Sequence, residues 1–335
     1  MSTPTILVTG SSGHLGAALV LSLPSYGFQP LGIDILPSPT THHICDITSP
    51  AQVAALFASN PDIAHIIHSA TLHKPHVASH PKSAFINTNI SGTLHLLEAA
   101  TALPTPPQSF VFISTTSSFG SALSPAPGSP AAWIDEHVVP RPKNIYGATK
   151  IAAEDICYLL HKQTKLPILV LRTSRFFPEA DDDEDRRSAM DDENLKVCEL
   201  AYRRVDIADV VSACVRATSK AAEIGWGRYI ISAPPPVRRD GGTLQRLDAD
   251  AAGVIKDTVP GVEEVFGQRG WKFLDRIDRV YDSSKALREL GWKPEYTFEK
   301  TVERLRAGEE WRSQLTFKVG KKGYHAVSTG VYTVR

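Results

Sequence analysis

The sequence predicts an α/β fold: a doubly wound parallel sheet with helices on both faces, joined to a smaller C-terminal substrate lobe. Short β-branched runs alternate with helix-period stripes through the first 175 residues, a rhythm that needs crossover connections and therefore parallel strands. A glycine triplet stands between the first run and the first stripe. The alternation breaks after Arg172, and 335 residues accommodate two units at roughly 150 residues each.

Thr5–Thr9 (TILVT), stopped by Gly10, reads as a buried strand. His14–Leu23 carries Leu15, Ala18, Leu19 and Leu23 on one helical stripe and ends at Pro24. Phe28–Ile33 is the second strand, Pro50–Ala58 a helix with proline in its first turn, and Ile63–His68 the third strand. Across residues 83–100, Ile86, Ile90, Leu94 and Leu97 recur at helical spacing and predict a buried face. The strand Phe110–Ser114, the helix Tyr146–His161 and the strand Ile168–Arg172 complete the regular part. An acidic stretch within residues 176–200 interrupts it. A helix over Asp206–Lys220 and a sixth strand over Arg228–Ser232 resume it. Residues 236–310 read as a mixed lobe, and the tail from Arg312 shows no clear period. The expected division is a cofactor half of residues 1–175, completed by about 206–235. Residues 176–205 and 236–335 then form the substrate lobe and tail.

Composition narrows the function classes. Apolar residues make up 42% and charged residues 21%, values of a globular chain rather than a disordered one. Lys+Arg and Asp+Glu both number 36, so no overall basic field draws nucleic acid or an anionic membrane. No run of 18 apolar residues suggests a membrane span. The opening MSTPTILVTG leads into a strand without a basic leader, which makes the cytoplasm the expected location. Cys45, Cys157, Cys198 and Cys214 form no C-x-x-C pair and read as buried free thiols.

Gly10, Gly13 and Gly16 are spaced G-x-x-G-x-x-G between strand and helix. Glycines there let backbone approach a pyrophosphate, and the helix N-terminus offers free N–H groups to it. Asp34 ends the second strand, 24 residues after Gly10. An acid at that point accepts the ribose hydroxyls of NAD and repels a 2′-phosphate, which favours NAD over NADP. Tyr146 and Lys150 stand at i, i+4 on one helix face. A phenol is a poor base at neutral pH, and a nearby ammonium stabilises its phenolate. Histidines 65, 68, 73, 76 and 80 have spacings that a metal could use, yet the expected chemistry needs none.

With these motifs the chain resembles the extended short-chain dehydrogenase/reductases of the NAD-dependent epimerase/dehydratase family, over nearly residues 4–300. Cys45-Asp46-Ile47 is similar to the family's adenine-contacting pair. His68-Ser69-Ala70 matches the segment running beneath the cofactor, and Asn89–Thr93 the asparagine-bearing start of a long helix. Val111–Gly120 (VFISTTSSFG), Arg204–Val210 (RVDIADV) and Ser283–Pro294 match further family segments. The resemblance implies a Rossmann cofactor domain and a catalytic set of Thr115, Tyr146 and Lys150. It implies cofactor contacts from Gly10, Gly13, His14, Leu15, Gly16, Asp34, Asp46, Ile47, Ala70, Asn89, Ser114, Tyr146 and Lys150. Where the family often carries asparagine near the substrate, this chain has Arg175, suited to a carboxylate, a phosphate or an ion pair with the acidic stretch. His73 is a second substrate-facing candidate, whereas the pairs Arg203-Arg204 and Arg238-Arg239 read as surface charge. The implied activity is hydride transfer at a hydroxyl-bearing carbon of a sugar nucleotide or similar small molecule. A net dehydrogenase or carbonyl reductase is the alternative. A non-catalytic NAD-binding regulator is disfavoured by the complete Thr/Tyr/Lys set. A homodimer is a further expectation.

Overall fold

The structure, a computed structural model, describes residues 3–177, 188–320 and 322. Its centre is an all-parallel sheet built from β1 (Thr5–Thr9), β2 (Gln29–Asp34), β3 (His43–Ile44), β4 (Ile63–His68), β5 (Ser109–Thr115), β7 (Ile168–Thr173) and β10 (Trp226–Ile231). The order across the sheet is β10-β7-β5-β4-β1-β2-β3. β5 and β7 are buried at every position, as strands covered on both faces must be. The chain moves from β1 outward to β2 and β3, then returns to place β4 on the other side of β1. That reversal opens a crevice outside the carboxyl ends of β1 and β4, where ligands of such sheets bind.

One face is covered by α1 (His14–Ser22) and α7 (Ile207–Ile224), sharing a core with Leu19, Val111, Leu171 and Val211. The other carries α2 (Pro50–Ser59), α4 (Gly92–Ala102) and α5 (Ile145–Thr164), packed through Phe57, Leu97, Phe110 and Cys157. Caps fix the helix starts: the Ser49 side chain accepts the Gln52 N–H beside Pro50, and Asn144 Oδ1 accepts the Gly147 N–H. α5 stops at Lys165, which turns into the left-handed region at φ 64°.

The long helical segment departs from its expected face. It begins with α3 (Lys82–Phe85), passes through a π turn over Ile86–Ser91, and continues as α4. The wider turn rotates the stripe. Phe85, Asn89, Thr93, Leu96, Leu97 and Ala100 face inward, Ile90 and Leu94 are only half-buried, and Ile86 is 45% exposed. The sixth strand begins two residues before its expected start.

The lobe contains α6 (Asp192–Leu200), α8 (Gly241–Ala249), α9 (Ala251–Thr258), α10 (Val262–Gln268) and α11 (Phe298–Arg306), with a core of Val254, Ile255, Phe266, Phe298 and Trp311. Short parallel pairs join β6 (Ala132–Ile134) to β11 (Arg279–Tyr281) and β8 (Arg175–Phe176) to β9 (Arg204–Val205). Buried Asp209 of α7 accepts the Glu295 and Tyr296 N–H groups at 2.8 and 2.9 Å, and Trp292 Nε1 donates to its carbonyl. The acidic stretch yields α6, because Asp191 caps it and Asp192 and Glu193 suit its positive end. Asp181–Asp185 lies outside the described residues. The tail opens as a helix, α12 (Gln314–Val319), anchored where Ser313 donates its N–H to Asp206.

Candidate active site

A cavity of about 750 Å³ occupies the crevice, and its lining begins at the β1–α1 turn. Gly10 has φ 71°, and a Cβ there would lie 2.8 Å from the backbone of Ala70. A Cβ on Gly16 would lie 2.0 Å from the Gly10 carbonyl oxygen. Glycine is therefore required twice to let the loop pack between β4 and its own helix. The Thr9 hydroxyl accepts the N–H groups of Ser69 and Ala70 at 3.1 and 3.0 Å, fixing the segment opposite. Gly10, Gly13, His14, Leu15, Gly16 and Ala70 all line the cavity.

Asp34 lines the same end. Its carboxylate accepts the Ser12 N–H at 3.0 Å and the Leu36 N–H at 2.9 Å, which holds the acid against the glycine loop. Asp46 and Ile47 line the cavity beside it, with Asp46 braced by Thr48. These features fit an adenine dinucleotide: a cradle that any Cβ would fill, the N-terminus of α1 at the glycine loop, and a carboxylate at the ribose position.

The far end gathers the proton-transfer candidates. Thr115 terminates β5, and its hydroxyl accepts the Ser117 N–H at 3.1 Å. Tyr146, the second residue of α5, and Thr115 both line the cavity, with Ser114 beside them. Lys150 is 1% exposed and does not itself line the cavity. Its Nζ sits 4.0 Å from the Phe112 ring centroid. Burial lowers the Lys150 pKa to about 7, against the upward pull of the Glu154 carboxylate.

Asn89 also stands behind the wall. Its Oδ1 accepts from Thr71 Oγ1 and the Leu72 N–H, both at 2.9 Å. Its Nδ2 donates to the Leu72 carbonyl at 2.9 Å and to Thr149 Oγ1 at 3.0 Å. With donors and acceptor so engaged, it braces the loop after β4 instead of facing the cavity, a correction to its expected cofactor contact. Ser114 likewise spends its hydroxyl away from the cavity, donating to Glu154 at 2.6 Å.

His73 and Arg175 line the cavity, joined by Lys74, Lys143, Arg203, Arg279 and Tyr281. Local pattern gave no warning of Arg279 and Tyr281, which arrive on the three-residue β11. The surface reading of Arg203-Arg204 fails: Arg203 faces the cavity, and Arg204 is fully buried against Glu199. Ser174 lines the cavity too, and its buried hydroxyl has no hydrogen-bond partner among the described residues. Burial holds the His68 pKa well below its usual value, with Lys150 adding to the effect. That ring bonds Thr9 and Thr93. No group of three or more potential metal ligands occurs among the described residues. All four cysteines are free and buried. No helix among the described residues is long and apolar enough to cross a membrane.

Residues 6–230 match the model of the NAD dependent epimerase/dehydratase family. GDP-6-deoxy-D-mannose reductase of Pseudomonas aeruginosa is 25% identical over 326 residues, covering 93% of this chain and 99% of that one. dTDP-glucose 4,6-dehydratase of Xanthomonas campestris pv. campestris is 26% identical over 336 residues, covering 89% and 91%. Among solved structures, UDP-N-acetylglucosamine 4-epimerase from Bacillus cereus superposes with a TM-score of 0.61 at 19% identity, covering 91% and 98% of the two chains.

Proposed function

Because the chain belongs to the NAD-dependent epimerase/dehydratase family, we propose that it converts a sugar nucleotide by moving a hydride from a hydroxyl-bearing carbon and returning it in the same turnover. The observation that carries this reading is one cavity with the glycine loop and Asp34 at one end and Thr115 and Tyr146, backed by Lys150, at the other. Bound NAD supplies the hydride acceptor and donor. Gly10, Gly13, His14, Leu15 and Gly16 would hold its pyrophosphate side, Asp34 the ribose, and Asp46 and Ile47 the adenine side, with Ala70 running beneath it.

Tyr146, as phenolate, takes the substrate hydroxyl proton while the adjacent carbon loses its hydride, and returns the proton in the reverse step. The Thr115 hydroxyl orients that substrate oxygen and stabilises it as it becomes a carbonyl. Lys150 lies one helical turn beyond Tyr146 and supplies positive charge beneath it. His73 and Arg175, with Lys74, Lys143, Arg203 and Arg279 on the same lining, give the substrate end the cationic surface that a nucleoside diphosphate requires. In this reading residues 1–175 and about 206–235 hold the cofactor, while 176–205 and 236–335 close the substrate end. Arg203, Arg279 and Tyr281, which come from the latter segments, support that division.

The similarity to a reductase along 99% of its length favours net reduction as a second reading. One assay separates the two. The enzyme is incubated in turn with UDP-glucose, dTDP-glucose and GDP-mannose plus NAD, and in parallel with their 4-keto derivatives plus NADH or NADPH, and products are followed by proton NMR. A new sugar with no lasting change in reduced cofactor supports the proposal. Stoichiometric cofactor oxidation or reduction supports the second reading, and no conversion of any probe overturns both. We further place the protein in the cytoplasm as a homodimer. Its free cysteines and the exposed apolar residues Ile86, Tyr158 and Leu159 support this, and sedimentation checks the dimer.

A further inference from the structure

Beneath the proposed catalytic residues lies a polar cluster that the reaction as described does not use. Glu154 is fully buried, one helical turn beyond Lys150 on α5. Its carboxylate accepts Ser114 Oγ at 2.6 Å from β5 and Arg172 from β7, Nε at 3.0 Å and a terminal nitrogen at 2.7 Å. Arg228 Nε of β10 lies 3.1 Å away. One carboxylate thus ties three neighbouring strands to the helix bearing Tyr146 and Lys150. Ser114 directly precedes Thr115, and Ser114 and Arg172 are register partners, as are Thr115 and Thr173. The tie therefore sits one residue behind the hydroxyl that the reaction needs.

We propose that Glu154 is a positioning residue, which fixes the Thr115 end of β5 against α5 and supplies a buried counter-charge that favours the ammonium form of Lys150. The inference rests on the role proposed above for Lys150. The charges around that lysine explain why an anion is needed. Tyr146, Glu154 and Cys157 share its helix, His68 faces it from β4, Phe112 from β5, Arg172 and Arg228 lie beyond Glu154 on β7 and β10, and Asp155 pairs with Arg228 at the surface. Among these, burial pushes the Cys157 thiol far above its ordinary pKa and His68 far below, so both are neutral. That leaves Glu154 as the anion in direct contact with the two arginines on the buried side of Lys150. The carboxylate is held by those arginines and stands one helical turn from the lysine, whose charged form it favours through space. Removing it or removing an arginine should therefore move Lys150 in opposite directions.

The test follows Lys150 itself and needs no substrate. The full-length protein with NAD is labelled at lysine side-chain nitrogens, the Lys150 signal is assigned by its loss in Lys150→Arg, and its protonation is followed by NMR against pH. In Glu154→Gln the midpoint should fall by at least about one unit, because a buried amine without its anion loses its proton sooner. In Arg228→Gln, whose side chain is 31% exposed, it should rise by about half a unit or more, because the carboxylate has one fewer cation to serve. Ser114→Ala removes a hydrogen bond but no charge and should leave the midpoint in place. Unchanged midpoints, or movement of Glu154→Gln and Arg228→Gln in the same direction, would overturn the assignment. If Glu154→Gln does not fold, Arg228→Gln decides alone: a rise supports the inference, and no rise refutes it. Failure of the sugar-nucleotide assays leaves this titration readable, so the two proposals fall separately.

Discussion

Replacing Asn89 by alanine tests whether this residue braces the cavity wall or touches the cofactor. The change deletes four hydrogen bonds, two accepted by Oδ1 and two donated by Nδ2. Thr71 Oγ1 keeps a contact to the Leu72 carbonyl, and Thr149 Oγ1 keeps the Ile145 and Tyr146 carbonyls. The uncompensated loss is mainly at the Leu72 N–H. At roughly 0.5–1.5 kcal/mol net for each bond, with partial compensation, the cost is about 2–4 kcal/mol. Against a typical total of about 5–15 kcal/mol, a loss of that size is readily measured by urea unfolding. Because the freed loop lines the cavity, NAD should also bind about tenfold more weakly by calorimetry, or about 1.4 kcal/mol. Unchanged stability with a hundredfold loss of NAD affinity would refute the bracing role and place Asn89 against the cofactor.

Three further outcomes follow from the same geometry. Gly10→Ala forces a Cβ at φ 71° onto the Ala70 backbone, and calorimetry should detect at least a hundredfold loss of NAD affinity, about 2.7 kcal/mol. The wild-type protein should bind NAD at least tenfold more tightly than NADP, a preference of about 1.4 kcal/mol, and Asp34→Ala should narrow that gap; equal affinities in the unmutated protein contradict the reading. Burial raises the Asp209 pKa to about 7, above its unfolded value, so the stability tied to its protonation is complete in acid and is lost as pH rises through neutrality. Urea midpoints of Asp209→Asn should therefore fall less than those of the wild type between about pH 4 and 7.

The sheet was legible because its strands announce themselves twice, as β-branched runs and as the partners of intervening helical stripes. Thr5–Thr9 and Ile63–His68 keep their expected limits. The helix face at Ile86 and Ile90 was misread because periodicity assumes 3.6 residues per turn, and a π turn resets the phase without a local signal. The glycine loop, Asp34 and Tyr146 were singled out from their places at the ends of regular elements and Thr115 from the family's strand-four segment, and all of them line one cavity. Asn89 carries the right residue in the right place, but its orientation is decided by the backbone of Leu72, which no local pattern records. Arg279 reaches the cavity only through the pairing of β11 with β6, so its role depended on long-range topology. Glu154 was hidden for a similar reason: its partners lie on three strands brought together by the crossovers.

In the proposed mechanism the Tyr146 hydroxyl carries the proton of a hydride-transfer reaction. Tyr146→Phe removes that one atom and keeps the ring, so the cavity wall and the cofactor cradle persist. Turnover of whichever probe nucleotide sugar the wild type converts should then be compared with calorimetric NAD binding for the same preparation. Turnover should be at least about a hundredfold slower, the loss expected for a removed acid–base group, with NAD affinity within about twofold of wild type. Near wild-type turnover by the phenylalanine variant would contradict that mechanism.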